Sequence, residues 1–200
     1  MRVSDPLDPI IAALGRNSAA SSDFDLNPDT VLPQGRVLRP AGVLVGLLTR
    51  PQGVQVILTK RASHLKHHPG QIALPGGKVD PGDTDEVAAA LREAHEEIGL
   101  DPANTEVLGT LPSHETVTSF RVTPVIARIY EPFDFRPEPG EVDEVFEVPL
   151  AHVTDPAQFN IQSRRWRGTM RHYFTVPWGP YYIWGATARI LRGLADRMQD

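Results

Sequence analysis

Ten residues, Leu91-Arg92-Glu93-Ala94-His95-Glu96-Glu97-Ile98-Gly99-Leu100, carry three carboxylates and an arginine at helical spacing, just after the glycine turn Pro75-Gly76-Gly77. On a helix advancing about 100° per residue, Glu97 lies about 40° from Glu93 and Glu96 about 60° to the other side, so the three acids share an arc of roughly 100°. Carboxylates this close raise one another's pKa values, and the cluster is costly unless a cation or an arginine neutralises it. Oxygen-only ligands favour Mg²⁺ or Mn²⁺ over zinc, which makes Glu93, Glu96 and Glu97 candidate metal ligands. Arg92, one turn before Glu96, can hold it in place. Gly76 and Gly77 let the backbone turn tightly and approach metal or phosphate where a β-carbon would obstruct it. The chemistry indicated is a divalent-metal site built to hold phosphate. The plainer alternatives are a solvated Glu-rich face with one i,i+4 ion pair and a simple hairpin turn.

The elements that must position these residues follow from hydrophobic period. The run Val43-Leu44-Val45-Gly46-Leu47-Leu48 predicts a buried strand over 41–48, with 54–60 as its hairpin partner across Pro51-Gln52-Gly53. A loop over 61–70, a short strand over 71–74 and the glycine turn lead to a helix from about Asp83 to Ile98. Val87, Leu91, Ala94 and Ile98 recur at i, i+4, i+7 and i+11 and predict its core-facing side, with the acids pointing elsewhere. Strands are expected over 106–111, 121–130, 144–149, 173–176 and 181–184, and a closing helix over 186–198. Residues 1–36 predict an accessory segment, a short helix over 9–14 followed by a loose loop rich in Ser, Asp and Asn, and residues 37–200 form the main domain. Mixed strands with one helix after the glycine turn and another at the end predict a layered α+β domain.

The 200 residues are 40 % hydrophobic and 22 % charged, values of a soluble globular chain with enough length to bury one core. No apolar run approaches the roughly 18 residues of a membrane span, and the start, Met1-Arg2-Val3-Ser4-Asp5-Pro6, lacks the apolar stretch of a secretory signal. With no cysteine there are no disulfides and no thiolate metal sites, so a reducing cytoplasm is the expected location. A formal charge of −5 excludes a general nucleic-acid binder. An anionic small-molecule substrate must then be attracted locally, by metal and a few basic side chains. The sequence leaves homo-oligomerisation open.

The string from Gly77 to Leu100 resembles the Nudix box, a glycine and an acid followed by Arg-Glu-x-x-Glu-Glu-x-Gly and an aliphatic residue, here Arg92 to Leu100. The first half departs from the usual box by one residue. Five residues separate Gly77 from Asp83 and eight separate Asp83 from Arg92, so the usual register lands on Thr84 and the expected glutamate is absent. Asp83 either stands in for it or caps the helix. The resemblance implies an α/β/α sandwich around a mixed sheet, with Glu93 and Glu97 as primary metal ligands, Glu96 as a further one, Arg92 orienting the cluster and the Gly77 carbonyl as an additional oxygen donor.

Upstream, Leu58-Thr59-Lys60-Arg61, then Gly70, then Pro75-Gly76-Gly77 are similar to the extra motif of coenzyme A pyrophosphatases within that family. Ala62, Lys66 and Leu74 stand where serine, arginine and phenylalanine are usual, and Ile183-Trp184-Gly185-Ala186-Thr187-Ala188-Arg189 also resembles the subfamily. The implied reaction is metal-dependent hydrolysis of the pyrophosphate of coenzyme A to 3′,5′-ADP and 4′-phosphopantetheine. Coenzyme A carries a 3′-phosphate besides its pyrophosphate, and Arg61 and Lys66 are the candidate cations: Arg61 as a two-pronged grip, Lys66 as a point charge. Arg61 paired with a strand-end carboxylate, and His67 and His68 as solvated loop residues, are the alternatives. The general base is a box glutamate or lies in Glu141-Val142-Asp143-Glu144, where Glu141 and Glu144 can equally be strand-edge charges. Trp184 belongs to the core or stacks on adenine. Two rival functions are a hydrolase of another nucleoside diphosphate, such as ADP-ribose or a dinucleotide, and a silent nucleotide-binding module.

Overall fold

The computed structural model describes residues 5–166 and 168–199; residues 1–4, part of the stretch read above for a signal, lie outside them. In chain order the elements are α1 (Asp8–Leu14), β1 (Ser21–Ser22), β2 (Arg39–Arg50), β3 (Gly53–Arg61), β4 (Ile72–Ala73), β5 (Gly76–Lys78) and α2 (Glu86–Ile98). Then come β6 (Thr105–Thr110), β7 (His114–Glu115), β8 (Phe120–Ile129), β9 (Val142–Pro149), α3 (Leu150–Val153), β10 (Asn160–Trp166), β11 (Thr169–Thr175) and α4 (Ala186–Gln199).

The apolar run at 43–48 puts β2 at the centre of a mixed nine-stranded sheet. One edge of β2 pairs in parallel with β8 from Arg39 to Leu48, and the other pairs with β5 near its start and with β3 near its end. Both faces of β2 are covered, as a continuous apolar run requires. Val45 and Leu47 join the core that holds Leu7 and Ile10 beside α1 and Leu191 and Leu194 of α4. Leu44 and Leu48, on the opposite face, meet Ala90, Ala94 and Ile98 of α2. This is the expected α/β/α layering around a mixed sheet.

Helix α2 begins at Glu86, later than Asp83, because Asp85 is the cap: its side chain accepts from the Ala88 N–H at 2.8 Å. The helix ends at Gly99, left-handed at φ 74°, whose N–H returns to the Ala94 and His95 carbonyls. Ala94 and Ile98 face the core as expected, while Val87 and Leu91 pack at its margin and Ala90 takes the central place. The acids do not all point elsewhere. Glu97 is 4 % exposed, buried between helix and sheet.

The N-terminal segment is tied down rather than loose. Leu7 and Ile10 enter the core, and Arg197 of α4 donates to the carbonyls of Ala13, Leu14 and Arg16, satisfying the end of α1. Further on, β1 pairs in parallel with β7, and buried His114 bridges Ser21 and Asp23. At the other end of the chain, β11 has a partner the hydrophobic pattern does not indicate, β10, and the two form a separate antiparallel hairpin. Residues 181–184 make single bridges, Thr175 to Trp184 and Trp178 to Tyr181, instead of the expected strand. The expected strand at 71–74 is only two residues long, β4. Among the described residues no helix is long and apolar enough to cross a membrane.

Candidate metal and phosphate site

Strand β5 lays Gly77 opposite Gly42 and Gly76 opposite Val43, and α2 packs against both β5 and β2. The Gly76 N–H donates to the Glu97 carboxylate at 3.1 Å, fastening the glycine turn to the helix. Burial pushes the Glu97 carboxyl up to about 8; Glu93 and Glu141 add like-charge repulsion, while the Gly76 N–H and Arg61 oppose the rise. Burial also raises Glu93, against the pull of Arg92. One ligand oxygen each from Glu93, Glu97 and Glu141 lies within 4.8 Å of the others. Two carboxyls driven above their ordinary values beside a third make a donor set that a hard divalent cation would relieve, so these residues fit Mg²⁺ or Mn²⁺.

Glu141 is the member the sequence left as either a general-base candidate or a strand-edge charge, and not as a metal ligand. It arrives because the loop ahead of β9 is stitched to both neighbours. The N–H groups of Arg136 and Glu138 donate to the carbonyls of Ile98 and Glu97, each at 3.0 Å, and the Ala62 N–H donates to the Glu141 carbonyl at 2.8 Å. Glu144, by contrast, accepts from the Tyr181 hydroxyl, and Tyr181 stacks on Phe146, so Glu144 fastens the C-terminal segment. Glu96 is not brought into the three-carboxylate set. Its side chain is 55 % exposed and accepts from Arg92 Nη1 at 2.9 Å.

Arg92 uses most of its fork. Its Nε and Nη2 each reach Asp83 at 3.0 Å, Nη1 reaches Glu93 at 3.1 Å, and Nη2 also donates to the Lys78 carbonyl at 3.1 Å. These bonds, with the Asp80 N–H as a second donor, hold the Asp83 carboxyl below the usual carboxylate range. Asp83, not Thr84, therefore supplies the arginine's carboxylate, and it does not cap the helix; the extra residue is absorbed in the loop before Asp85. Asp83→Ala should free Arg92, lower the melting temperature and cut turnover roughly 10- to 100-fold, the usual cost of removing a group that orients a metal ligand. Steady-state rates at saturating Mg²⁺ check this, and an unchanged rate would make the Arg92–Asp83 pair merely structural.

Arg61 ends β3 and opens the loop closed by the Gly70 N–H to Arg61 carbonyl bond at 3.1 Å. Among the described residues its guanidinium makes no ion pair, so it is not spent on a strand-end carboxylate, and its charge acts on Glu97 and on His68. Lys66 and His67 are exposed on the same loop. His68 is left-handed at φ 54°, and its ring bonds to Gln71. The arrangement joins a carboxylate cluster of metal-binding chemistry, a backbone turn tight enough to approach a ligand, and an uncommitted arginine at its edge.

A family model for the NUDIX domain matches residues 38–169. An uncharacterised Nudix hydrolase of Enterobacter sp. (strain 638), NudL, is 40 % identical over 182 residues, 86 % of this chain and 94 % of that one. Its counterpart in Escherichia coli O6:H1 is 41 % identical over 157 residues, 78 % of this chain and 81 % of that one. Among solved structures, a Nudix hydrolase of M. smegmatis, RenU, is 27 % identical at a TM-score of 0.46 and covers 60 % of this chain and 83 % of that chain.

Proposed function

We propose, from the premise that the chain belongs to the Nudix family of nucleoside-diphosphate hydrolases, that its substrate is coenzyme A or a derivative, cleaved at the pyrophosphate to 3′,5′-ADP and 4′-phosphopantetheine. The observation that carries this reading is Arg61, without an ion-pair partner among the described residues and acting on Glu97, at the head of the loop that resembles the coenzyme A motif. A cytoplasmic setting, suggested by the absence of cysteine, is part of the same proposal.

Glu93, Glu97 and Glu141 would hold Mg²⁺ or Mn²⁺, with the Gly77 carbonyl as a further donor, while Glu96 stays paired with Arg92. When bound, such ions neutralise pyrophosphate oxygens and lower the pKa of an attacking water. Arg92 keeps Glu93 and Glu96 oriented through its Asp83 anchor. Arg61 and Lys66 bind phosphate oxygens, Arg61 nearest the scissile linkage. Gly77 leaves room for the Glu93 carboxylate, and Gly76 lets the turn lie against the central strand beside Gly42 and Val43.

Purified protein incubated with coenzyme A and Mg²⁺ or Mn²⁺ should release 3′,5′-ADP, resolved by chromatography, and Glu93→Gln should not. Intact coenzyme A alongside cleaved ADP-ribose or dinucleotide would discard the substrate and keep the chemistry. Inertness toward all of them would favour a binding module.

A further inference from the structure

The loop that begins at Arg61 beside the carboxylates ends at a second cluster of side chains. His68 bonds to Gln71, and a β-carbon added at Gly185 would lie 3.8 Å from Gln71 Nε2, so the loop abuts the segment carrying Trp184. The Arg164 guanidinium sits 4.7 Å over the Trp184 ring, Tyr173 meets Trp184 edge-on at 5.2 Å, and the Tyr173 and Tyr182 hydroxyls are 3.5 Å apart. Tyr182 is 46 % exposed beside this cluster. Arg164 pairs across the hairpin with Arg171, which doubles the positive charge on that face of a chain whose formal charge is −5.

Resting on the coenzyme A reading above, we propose that Arg164, Tyr173, Tyr182 and Trp184 form the subsite for the nucleoside end of the substrate: Tyr182 offers its ring to the purine, and Arg164 takes the ribose 3′-phosphate. A guanidinium held over an indole is already partly ordered, so its fork meets a phosphate with less further loss of side-chain freedom. Exposed aromatics stack on any base, and a planar cation beside them selects a phosphorylated ribose. The geometry divides the cations by task. Arg61, which acts on Glu97, serves the pyrophosphate, and Arg164, on β10 over Trp184, reads the phosphomonoester.

Equilibrium binding of 3′,5′-ADP and of 5′-AMP to the metal-free protein, followed by calorimetry, separates these roles without turnover. The wild type should bind 3′,5′-ADP about 10- to 100-fold more tightly than 5′-AMP, the range of a hydrogen-bonded charge pair. Arg164→Ala should erase that preference, and Tyr182→Ala should weaken both ligands roughly 5- to 100-fold, as loss of a stacked base does. Both residues are exposed, and melting curves verify that the variants fold. Equal binding of the two nucleotides by wild type, or a preference that survives Arg164→Ala, overturns the subsite even if coenzyme A is hydrolysed. A 3′-phosphate preference lost in Arg164→Ala upholds it even if coenzyme A is not the substrate.

Discussion

Glu97→Gln should lose activity by about 1,000-fold or more and, without metal, melt at a higher temperature than the wild type at pH 8. The loss follows from removing a carboxylate that several kcal/mol of charge stabilisation depends on. The gain follows from linkage. Glu97 is buried and its carboxyl is pushed up to about 8, against 4.5 as its ordinary value. Between those values the folded metal-free protein holds a proton that the unfolded chain has released, so stability falls as pH rises through that window and levels off above it. Glutamine has no such proton and removes the slope, worth on the order of a few kcal/mol at pH 8. Melting the two proteins in chelator at pH 5 and pH 8 tests this directly: the variant's advantage must grow with pH. In the wild type a divalent cation must displace the same proton, so the rise in melting temperature on adding Mg²⁺ should be larger at pH 8 than at pH 6. A metal effect independent of pH would mean that Glu97 is not a ligand.

The contrast between Glu97 and Glu141 shows where local pattern stops being informative. Glu93, Glu96 and Glu97 are neighbours along one helix, and helical periodicity puts them together before any fold is known. Glu141 lies far along the chain and joins them only through backbone bonds from its loop to the helix end and to Ala62. No spacing records such a closure, and a lone glutamate before a strand looks like an edge charge. For Asp83 the sequence left two roles open, standing in for the absent glutamate or capping the helix. The partnership of Asp83 with Arg92 depends on the loop path, not on helical register, and Asp85, two residues on, takes the capping role.

The sheet was legible where burial is two-sided or alternating. β2, β3 and β8 are dense in Val, Ile and Leu, and both the strands and their layered packing follow from that. β10 was not legible, because Gln162-Ser163-Arg164-Arg165 faces solvent and carries no apolar period for a core to select. The N-terminal segment was underestimated for a related reason: Asp23 and Arg197 hold it with polar bonds to distant residues, and composition alone reads such a segment as loose.

Adjacent glycines of the turn should fail in different ways when each is replaced by alanine. At Gly77 the new β-carbon would lie 2.3 Å from Glu93 Oε1 and 2.6 Å from its Cδ, the mobile end of a side chain. The carboxylate can swing aside, so the fold should survive with a stability change under about 1 kcal/mol, but Glu93 then leaves the set it shares with Glu97 and Glu141. Activity should fall about 100-fold or more, and higher Mg²⁺ should restore part of it. At Gly76 the β-carbon would lie 2.3 Å from the Gly42 carbonyl oxygen and 2.6 Å from Val43 Cα, with φ at +152°. Backbone of the central strand cannot swing aside, and alanine rarely adopts that φ. Gly76→Ala should therefore cost about 3 kcal/mol or more, a fall of roughly 10 °C in melting temperature, with no rescue by metal. Melting curves and Mg²⁺ titrations of the two variants side by side separate a displaced ligand from a broken strand pairing. If Gly77→Ala melted as low as Gly76→Ala, the turn would be there for the sheet alone and its closeness to Glu93 would carry no catalytic meaning.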